Sequence, residues 1–390
     1  DHPLHAVLEQ YLDQPVDGRI LQTHLVEHVD IGGFGPEILA QLGAGNIGRA
    51  QERGHQVDIV RPAVLACDEE GLEVPSVGFP GYKEVRFGFP MKLILQARWH
   101  RNRPDVIYVA TETPLGASAV SAARALNIPA ATGFHTNFQQ YVAHYQLPLL
   151  EKATMSYLRH VHNRSSCTFV PSRDVIADLD AQGFHNLELL PKGVDTKLFK
   201  PKKRSLALRR EWGAGDRSPV GLYVGRMAAE KNLPLVIRAF LEIQKRIPDF
   251  RGVLVGDGPK LAEVRKEHPQ FIYAGVKRGE ELAEHYASAD MFLFPSITET
   301  FGNVTMAALA SGLAVVAYDY AAARQHIVSG ENGFTVPFDD SEAFIETAIR
   351  AAKMDLTEIR ENARATARKV RWKKVVKRFE KQLMKLIAEP

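Results

Sequence analysis

The sequence predicts an α/β protein made of two doubly wound parallel-sheet domains, Rossmann-like in pattern and facing each other across a cleft. Three observations carry that prediction. Short apolar runs recur along the chain, as strands buried on both faces of a sheet must. In the second half helical stretches separate them by about 15 to 35 residues, enough for crossover connections. The runs fall into two sets on either side of a Pro- and Lys-rich stretch, KGVDTKLFKPKKRS, which reads as a linker.

In the first set the strands are RILQTHLV, QVDIV, DVIYV, PAATGF, CTFVPS and LELLP. In the second they are GLYVG, GVLVG, FIYAG, MFLFP, LAVVA and FTVP. A last helix is expected over about residues 358–387, because Trp372, Val375, Val376, Phe379, Leu383 and Leu386 recur at spacings of three and four with Lys and Arg around them. The expected domains are residues 1–192, residues 193–365, and a C-terminal helix over 366–390 that returns to the first domain.

A chain of 390 residues exceeds one ordinary core. With 45% hydrophobic and 24% charged residues it has the composition of a globular protein, and no apolar run approaches the roughly 18 residues needed to cross a bilayer. The first residues carry neither a basic start nor an apolar core of a secretory signal, so a cytoplasmic location is expected. Cys67 and Cys167 stand far apart with no metal-type spacing and read as reduced, buried thiols. The formal charge of +3 is unevenly placed: residues 360–390 hold eleven Lys or Arg against three Glu. That excess belongs to one helix rather than to a nucleic-acid-binding face, and it suits a peripheral contact with an anionic membrane through residues 360–387.

Chemistry concentrates at strand ends. Glu299 follows MFLFP, and Gly302, Asn303 and Val304 open the helix TMAALAS, whose first amides lack intrahelical acceptors and favour an anion. Upstream, GLYVG leads to Arg226 and Lys231, a guanidinium and an ammonium at the edge of the same expected sheet. Gly256, Gly258 and Val276 also fall just after strands, where open α/β sheets bind ligands. His135, just after PAATGF, would face them from the other domain. Cations for a diphosphate beside a carboxylate for sugar hydroxyls describe a nucleotide-sugar site, hence a glycosyl transferase.

The segments GRMAAEKN, VGDGP, YAGVKRGEELAEHYASADMFLFPS and TETFGNVTMAALASG resemble the retaining glycosyltransferases of family four, which have the GT-B architecture. ATETPLG, GFHTNFQQYVAHY, YLRHVHNR and KGVDTKLFKP are similar to the branch holding bacterial α-mannosyltransferases and sulfoquinovosyl or glycosyl diacylglycerol synthases. The resemblance spans roughly residues 54–385 and implies transfer of a hexose from GDP-mannose or a UDP-sugar to a lipid or glycan, releasing GDP or UDP, with no metal or other cofactor. It implies that Arg226 and Lys231 hold the diphosphate, that Glu299 takes donor-sugar hydroxyls, and that Gly302, Asn303 and Val304 offer amides. Val276 would hold the base, His135 would stand near the donor sugar, and Gly33 would be a loop glycine near the phosphate. Asn137 and Tyr141 would lie on the acceptor side.

Two departures stand out. The family pairs its first glutamate with a second eight residues on, a ribose ligand, where this chain has Ala307; Glu280 is a substitute acceptor. The N-terminal region, HLVEHVDIGGFGPEILAQLGAGNIGRAQERGH, also lacks the family's uninterrupted first helix. These motivate a rival, a GT-B pseudoenzyme that binds without turnover. Gly43, Gly45 and Gly48 match G-x-G-x-x-G, an NAD(P) fingerprint, but the match neither follows a buried strand nor opens a full helix, and Arg61 stands where an acidic ribose ligand belongs. A nucleotide-sugar epimerase on the same fold is the third alternative. His160 and His162 show no ligand spacing and read as packing or surface residues.

Overall fold

Wholly buried strands form the spine of both halves of the chain. The computed structural model describes residues 22–26, 56–63, 72–79, 82–134, 148–228, 231–297, 299 and 302–388. Two units result, Asp1–Pro191 with Val375–Pro390, and Lys192–Lys374.

In the first unit the strands are β1 (Gln22–Val26), β2 (Gln56–Pro62), β3 (Leu72–Val74), β4 (Ser76–Phe79), β5 (Tyr82–Gly88), β6 (Val106–Val109), β7 (Ala130–Gly133), β8 (Cys167–Val170) and β9 (Leu187–Leu189). Seven of them make a sheet in the order β3-β2-β1-β6-β7-β8-β9, and its registered pairs are parallel. Every residue of β6, β7 and β8 is buried, which is why these strands are uninterrupted apolar or small runs in the sequence. The helices are α1 (Lys92–Arg101), α2 (Pro114–Ala125), α3 (Pro148–His162) and α4 (Arg173–Ala181). Pro114 sits at the first turn of α2, where its missing N–H costs nothing, and the Ser172 hydroxyl caps α4 by accepting from the Val175 amide at 3.2 Å.

His162 is a packing residue with a polar task. It is fully buried, and its Nδ1 and Nε2 meet Thr132 Oγ1 at 2.8 Å and Glu112 Oε1 at 3.1 Å. Both ring nitrogens and a buried carboxylate are thereby satisfied inside the unit. Arg61, which stands where a dinucleotide site would need an acidic residue, is buried near the end of β2 and paired with Glu73 at 3.2 Å. Cys167 is a buried free thiol whose pKa is pushed up to about 12 by burial, which makes it inert near neutral pH.

The second unit holds β10 (Val220–Val224), β11 (Arg251–Val255), β12 (Ile272–Gly275), β13 (Met291–Phe294), β14 (Ala314–Tyr318) and β15 (Phe334–Val336). They lie in the order β12-β11-β10-β13-β14-β15 with parallel pairing throughout. From β10 the chain winds outward to β11 and β12, then returns to place β13 on the other side of β10 and winds outward again. The order therefore reverses between β10 and β13, which is where such sheets open a crevice. Around them run α5 (Leu206–Glu211), α6 (Leu233–Arg246), α7 (Leu261–Glu267), α8 (Gly279–Ser288), α9 (Asn303–Ala310), α10 (Ala321–His326), α11 (Ser341–Lys353) and α12 (Thr357–Lys369), and α13 (Trp372–Ala388) follows, its residues from Val375 on belonging to the first unit.

Asp290, just before β13, is the electrostatic anchor of this unit. Its carboxylate accepts from Arg204 at 2.9 Å, Arg209 at 3.1 Å, Arg360 at 3.0 Å and the Val220 amide at 3.0 Å. The segment before α5, α5 itself and α12 are thus fastened to the sheet by one acidic group.

Two expectations need correction. The single helix over 358–387 is two helices, α12 and α13, interrupted at Val370 and Arg371. The interruption is tertiary in origin: the Val194 amide donates to the Val370 carbonyl at 3.1 Å, and Val194 bridges Arg371. The stretch KGVDTKLFKPKKRS is also no loose linker. Val194 and Phe199 are buried, and the Arg364 guanidinium binds the carbonyls of Thr196 and Phe199 at 2.7 Å each. Beyond the interruption, Val375–Pro390 belongs to the first unit, where the Phe379 ring packs 5.1 Å from Tyr108 and 5.2 Å from Phe169. Burial of that ring stabilises the attachment by about 1.5–3 kcal/mol.

Candidate functional site

The site grows from the register of the second sheet. Gly221 pairs with Met291 and Leu222 with Phe292, so β10 and β13 run level. On the other side Val224 pairs with Val255, and Val255 with Gly275. Four strands therefore release the chain along one edge. Arg226 and Lys231 follow β10, Gly256 and Gly258 follow β11, Val276 follows β12, and Glu299 with Gly302 follows β13. Arg226 and Lys231 on one side and Glu299 on the other flank the reversal of strand order.

Lys231 and Glu299, 68 residues apart in sequence, meet directly, with Nζ 2.5 Å from Oε1. Ser296 Oγ donates to the same oxygen at 2.9 Å. Their side chains are 6% and 16% exposed, so the pair is largely out of water and its attraction is strong. Arg226 is half-buried, and its carbonyl accepts from the Tyr223 hydroxyl at 2.8 Å, which fixes the turn that leaves β10.

Glycines shape this edge. A Cβ at Gly256 would stand 2.0 Å from the Gly225 carbonyl oxygen, and one at Gly258 would stand 2.5 Å from that of Met227. Both glycines let the loop after β11 lie against the turn after β10, where Met227 N donates to Asp257 O at 2.8 Å and Lys260 N to Met227 O at 3.0 Å. Gly302 takes a left-handed φ of 96° as the N-cap of α9, so that the helix opens with the amides of Asn303 and Val304 just beyond the end of β13. The amides of Thr305 and Met306 are already bonded to Gly302 O at 3.1 and 3.3 Å.

A concave surface opens at Glu299 and Gly302. It is lined by Ser296, Glu299, Gly302, Thr305 and the residues at and after the end of β14, Tyr318, Tyr320 and Ala321, and its lining does not include Arg226, Lys231, Gly256, Gly258 or Val276. Ala321 holds φ at 49°, a left-handed conformation unfavourable for a residue with a Cβ, at the rim of this concavity. Ser296, Thr305 and the segment after β14 were not singled out from sequence. The strand-end rule that found Glu299 applies equally to LAVVA and would have found that segment.

Val276 is half-exposed, with its backbone on the same edge. Glu280 lies in the first turn of α8, well exposed and ion-paired with Lys203. Ala307, where the family has a glutamate, is 6% exposed and packed in the core of this unit. Gly33, His135, Asn137, Tyr141 and the fingerprint Gly43, Gly45 and Gly48 lie outside the described residues.

This edge, with paired cation and carboxylate, helix amides and a glycine-shaped approach, defines a class of protein that handles anionic sugar nucleotides on parallel α/β sheets. Residues 47–198 match the family described as Glycosyltransferase Family 4, and residues 218–354 match Glycosyl transferases group 1. The chain is 33% identical over 305 residues to a GDP-mannose-dependent alpha-mannosyltransferase of Mycobacterium tuberculosis, covering 76% of this chain and 79% of that one. It is 29% identical over 269 residues to an alpha-monoglucosyldiacylglycerol synthase of Streptococcus pneumoniae, covering 64% and 60%. A glycosyltransferase from Rickettsia africae shares the fold, with a TM-score of 0.74 at 17% identity over 95% of this chain and 99% of that one. The chain belongs to the family-four glycosyltransferases and has the GT-B fold.

Proposed function

We propose that this glycosyltransferase moves a hexose, mannose or glucose in type, from a nucleotide diphosphate sugar to a lipid or glycan hydroxyl with retention of configuration. The observation that carries the reading is the Lys231–Glu299 pair at the reversal of strand order, with Arg226 leaving the same strand as Lys231 and α9 starting just after Glu299. The relatives named above, one dependent on GDP-mannose and one a glucosyl diacylglycerol synthase, support the donor and acceptor classes.

In this reading the diphosphate seats against Arg226, Lys231 and the amides of Asn303 and Val304, with the glycines at 256, 258 and 302 permitting its approach. As the bond from the anomeric carbon to the phosphate oxygen breaks, these groups neutralise the charge that develops on the leaving diphosphate. They supply that charge from the protein itself, so the reading calls for no metal or other cofactor. Glu299 accepts hydrogen bonds from donor-sugar hydroxyls, and Val276 presents backbone groups to the base. The acceptor oxygen attacks the anomeric carbon on the face the phosphate leaves, and its proton passes to the departing phosphate oxygen. His135 near the donor sugar and Asn137 and Tyr141 on the acceptor side complete the assignment, with Gly33 near the phosphate.

Transfer assays with GDP-mannose, UDP-glucose and UDP-sulfoquinovose test this. Turnover with one donor that is lost in Lys231→Ala and Glu299→Ala is expected. Nucleotide binding without turnover of any donor would instead favour the pseudoenzyme, the reading that Ala307 motivates.

For location, we propose a cytoplasmic enzyme that touches the membrane peripherally. Among the described residues no helix is long and apolar enough to cross a bilayer. On α13, Trp372, Val375, Val376, Phe379 and Leu383 are buried, while Lys373, Lys374, Lys377, Arg378, Lys381 and Lys385 are exposed. Arg360 and Arg364 are engaged inside the second unit, so the basic groups available to anionic lipid are the exposed Arg368, Lys369 and Arg371 and the exposed face of α13. Flotation with phosphatidylglycerol vesicles should fall when these lysines are replaced by glutamine, and equal flotation would remove the membrane role.

A further inference from the structure

Lys192 opens the second unit, and no motif singles it out. It is only 7% exposed, and it makes no hydrogen bond or ion pair among the described residues. The charged group that acts on it is Glu299, whose Oε1 is already claimed by Lys231 at 2.5 Å and Ser296 at 2.9 Å.

The backbone beside it is held in place. A Cβ at Gly193 would stand 2.7 to 2.8 Å from Trp372 atoms, and Val194 N donates to Val370 O at 3.1 Å. Lys192 is thus a largely buried lysine within electrostatic range of Glu299, with no hydrogen-bond or ion-pair partner of its own among the described residues. A buried cation without a partner is costly, and the protein answers by releasing the proton: burial lowers the pKa from 10.5 to about 7, against the upward pull of Glu299. A lysine kept for packing would be better served by an apolar side chain of the same length. A lysine kept for an arriving anion has to be an amine.

We propose that Lys192 is a third cation of the donor site, whose ammonium engages the diphosphate of the nucleotide-sugar beside Lys231 and Glu299. This rests on the donor-site reading given above. One consequence is specific to it: the diphosphate restores the positive form of Lys192, so binding takes up a proton from solution.

The test is calorimetric titration of GDP and UDP into the intact chain at about pH 8, in two buffers of different ionisation enthalpy, where the free diphosphate is already ionised and Lys192 is mostly neutral. Wild type is expected to take up most of one proton per nucleotide bound. Lys192→Met should bind about tenfold or more weakly with no uptake. Lys192→Arg, always charged, should keep most of the affinity while also losing the uptake. Unchanged affinity and proton uptake in Lys192→Met would overturn this inference alone. Absence of GDP and UDP binding by the wild-type chain would overturn the donor-site reading and this inference with it.

Discussion

Lys231 Nζ lies 2.5 Å from Glu299 Oε1, so the cation assigned to the diphosphate and the carboxylate assigned to the sugar are bonded to each other. A diphosphate that takes Lys231 must compete with Glu299, whose charge also acts on Lys192. Substituting Glu299→Gln removes that competition while keeping the shape. The expected outcome is that GDP or UDP, lacking the sugar, binds as tightly as before or more tightly, while transfer falls by about 10²–10³-fold through loss of a charged contact to the reacting sugar. Parallel titrations and transfer assays check the split. Equal losses in both would place Glu299 in nucleotide binding instead.

Lys192 makes stability depend on pH in a definite direction. Below about pH 7 both the folded and the unfolded chain hold its proton. Between about 7 and 10.5 the unfolded chain holds a proton that the folded one lacks, so this group makes stability rise with pH. The slope reaches up to about 1.4 kcal/mol per pH unit and levels off above 10.5. Lys192→Met lacks this component. The variant should be the more stable protein at pH 7, and its advantage should shrink toward pH 9 in urea unfolding. A constant difference across that range would mean that Lys192 does not titrate there.

What could be read from sequence follows the physics of burial. GLYVG, MFLFP and LAVVA announce strands because both faces of a parallel sheet are covered, and the rule that ligands sit beyond strand ends then brings Arg226, Lys231 and Glu299 to one edge. The hairpin β4–β5 was not legible, since its strands carry Gly78 on one side and Lys83, Glu84 and Arg86 on the other, and offer no apolar run. The interruption at Val370 was hidden because the apolar spacing resumes at Trp372, and only pairing with the distant Val194 stops the helix. Lys192 escaped notice for a similar reason: at the head of a Lys- and Pro-rich run it looks solvated, and its burial is a tertiary fact.

Asp290 should be a stability residue. It is the acidic partner shared by Arg204, Arg209 and Arg360, and the Arg209 side chain is only 1% exposed. Asp290→Asn keeps the shape but leaves three guanidinium groups crowded without their counter-charge, and the expected loss is about 3–5 kcal/mol. Arg360→Leu should cost less, because two arginines still share the carboxylate and one repulsion is relieved. Denaturant unfolding of the two variants gives the ranking, and a smaller loss for Asp290→Asn than for Arg360→Leu would contradict the role assigned to Asp290.

Ala307 lies one turn after Asn303 on α9, and helical side chains lean toward the N-terminus, so a longer side chain at 307 is aimed at the end of the helix that faces the site. A glutamate there should restore an acceptor for ribose hydroxyls and tighten GDP or UDP binding by about 1–3 kcal/mol. The position is 6% exposed, so the larger side chain should also lower stability by about 1–3 kcal/mol through overpacking. Both effects are measurable on the same variant, by titration and by thermal unfolding. The discriminating ligand is a nucleoside diphosphate without ribose hydroxyls, for which Ala307→Glu should bring no gain. An equal gain with that analogue would place the new carboxylate elsewhere than on the ribose, and no gain with either ligand would mean that this chain holds its ribose through another residue.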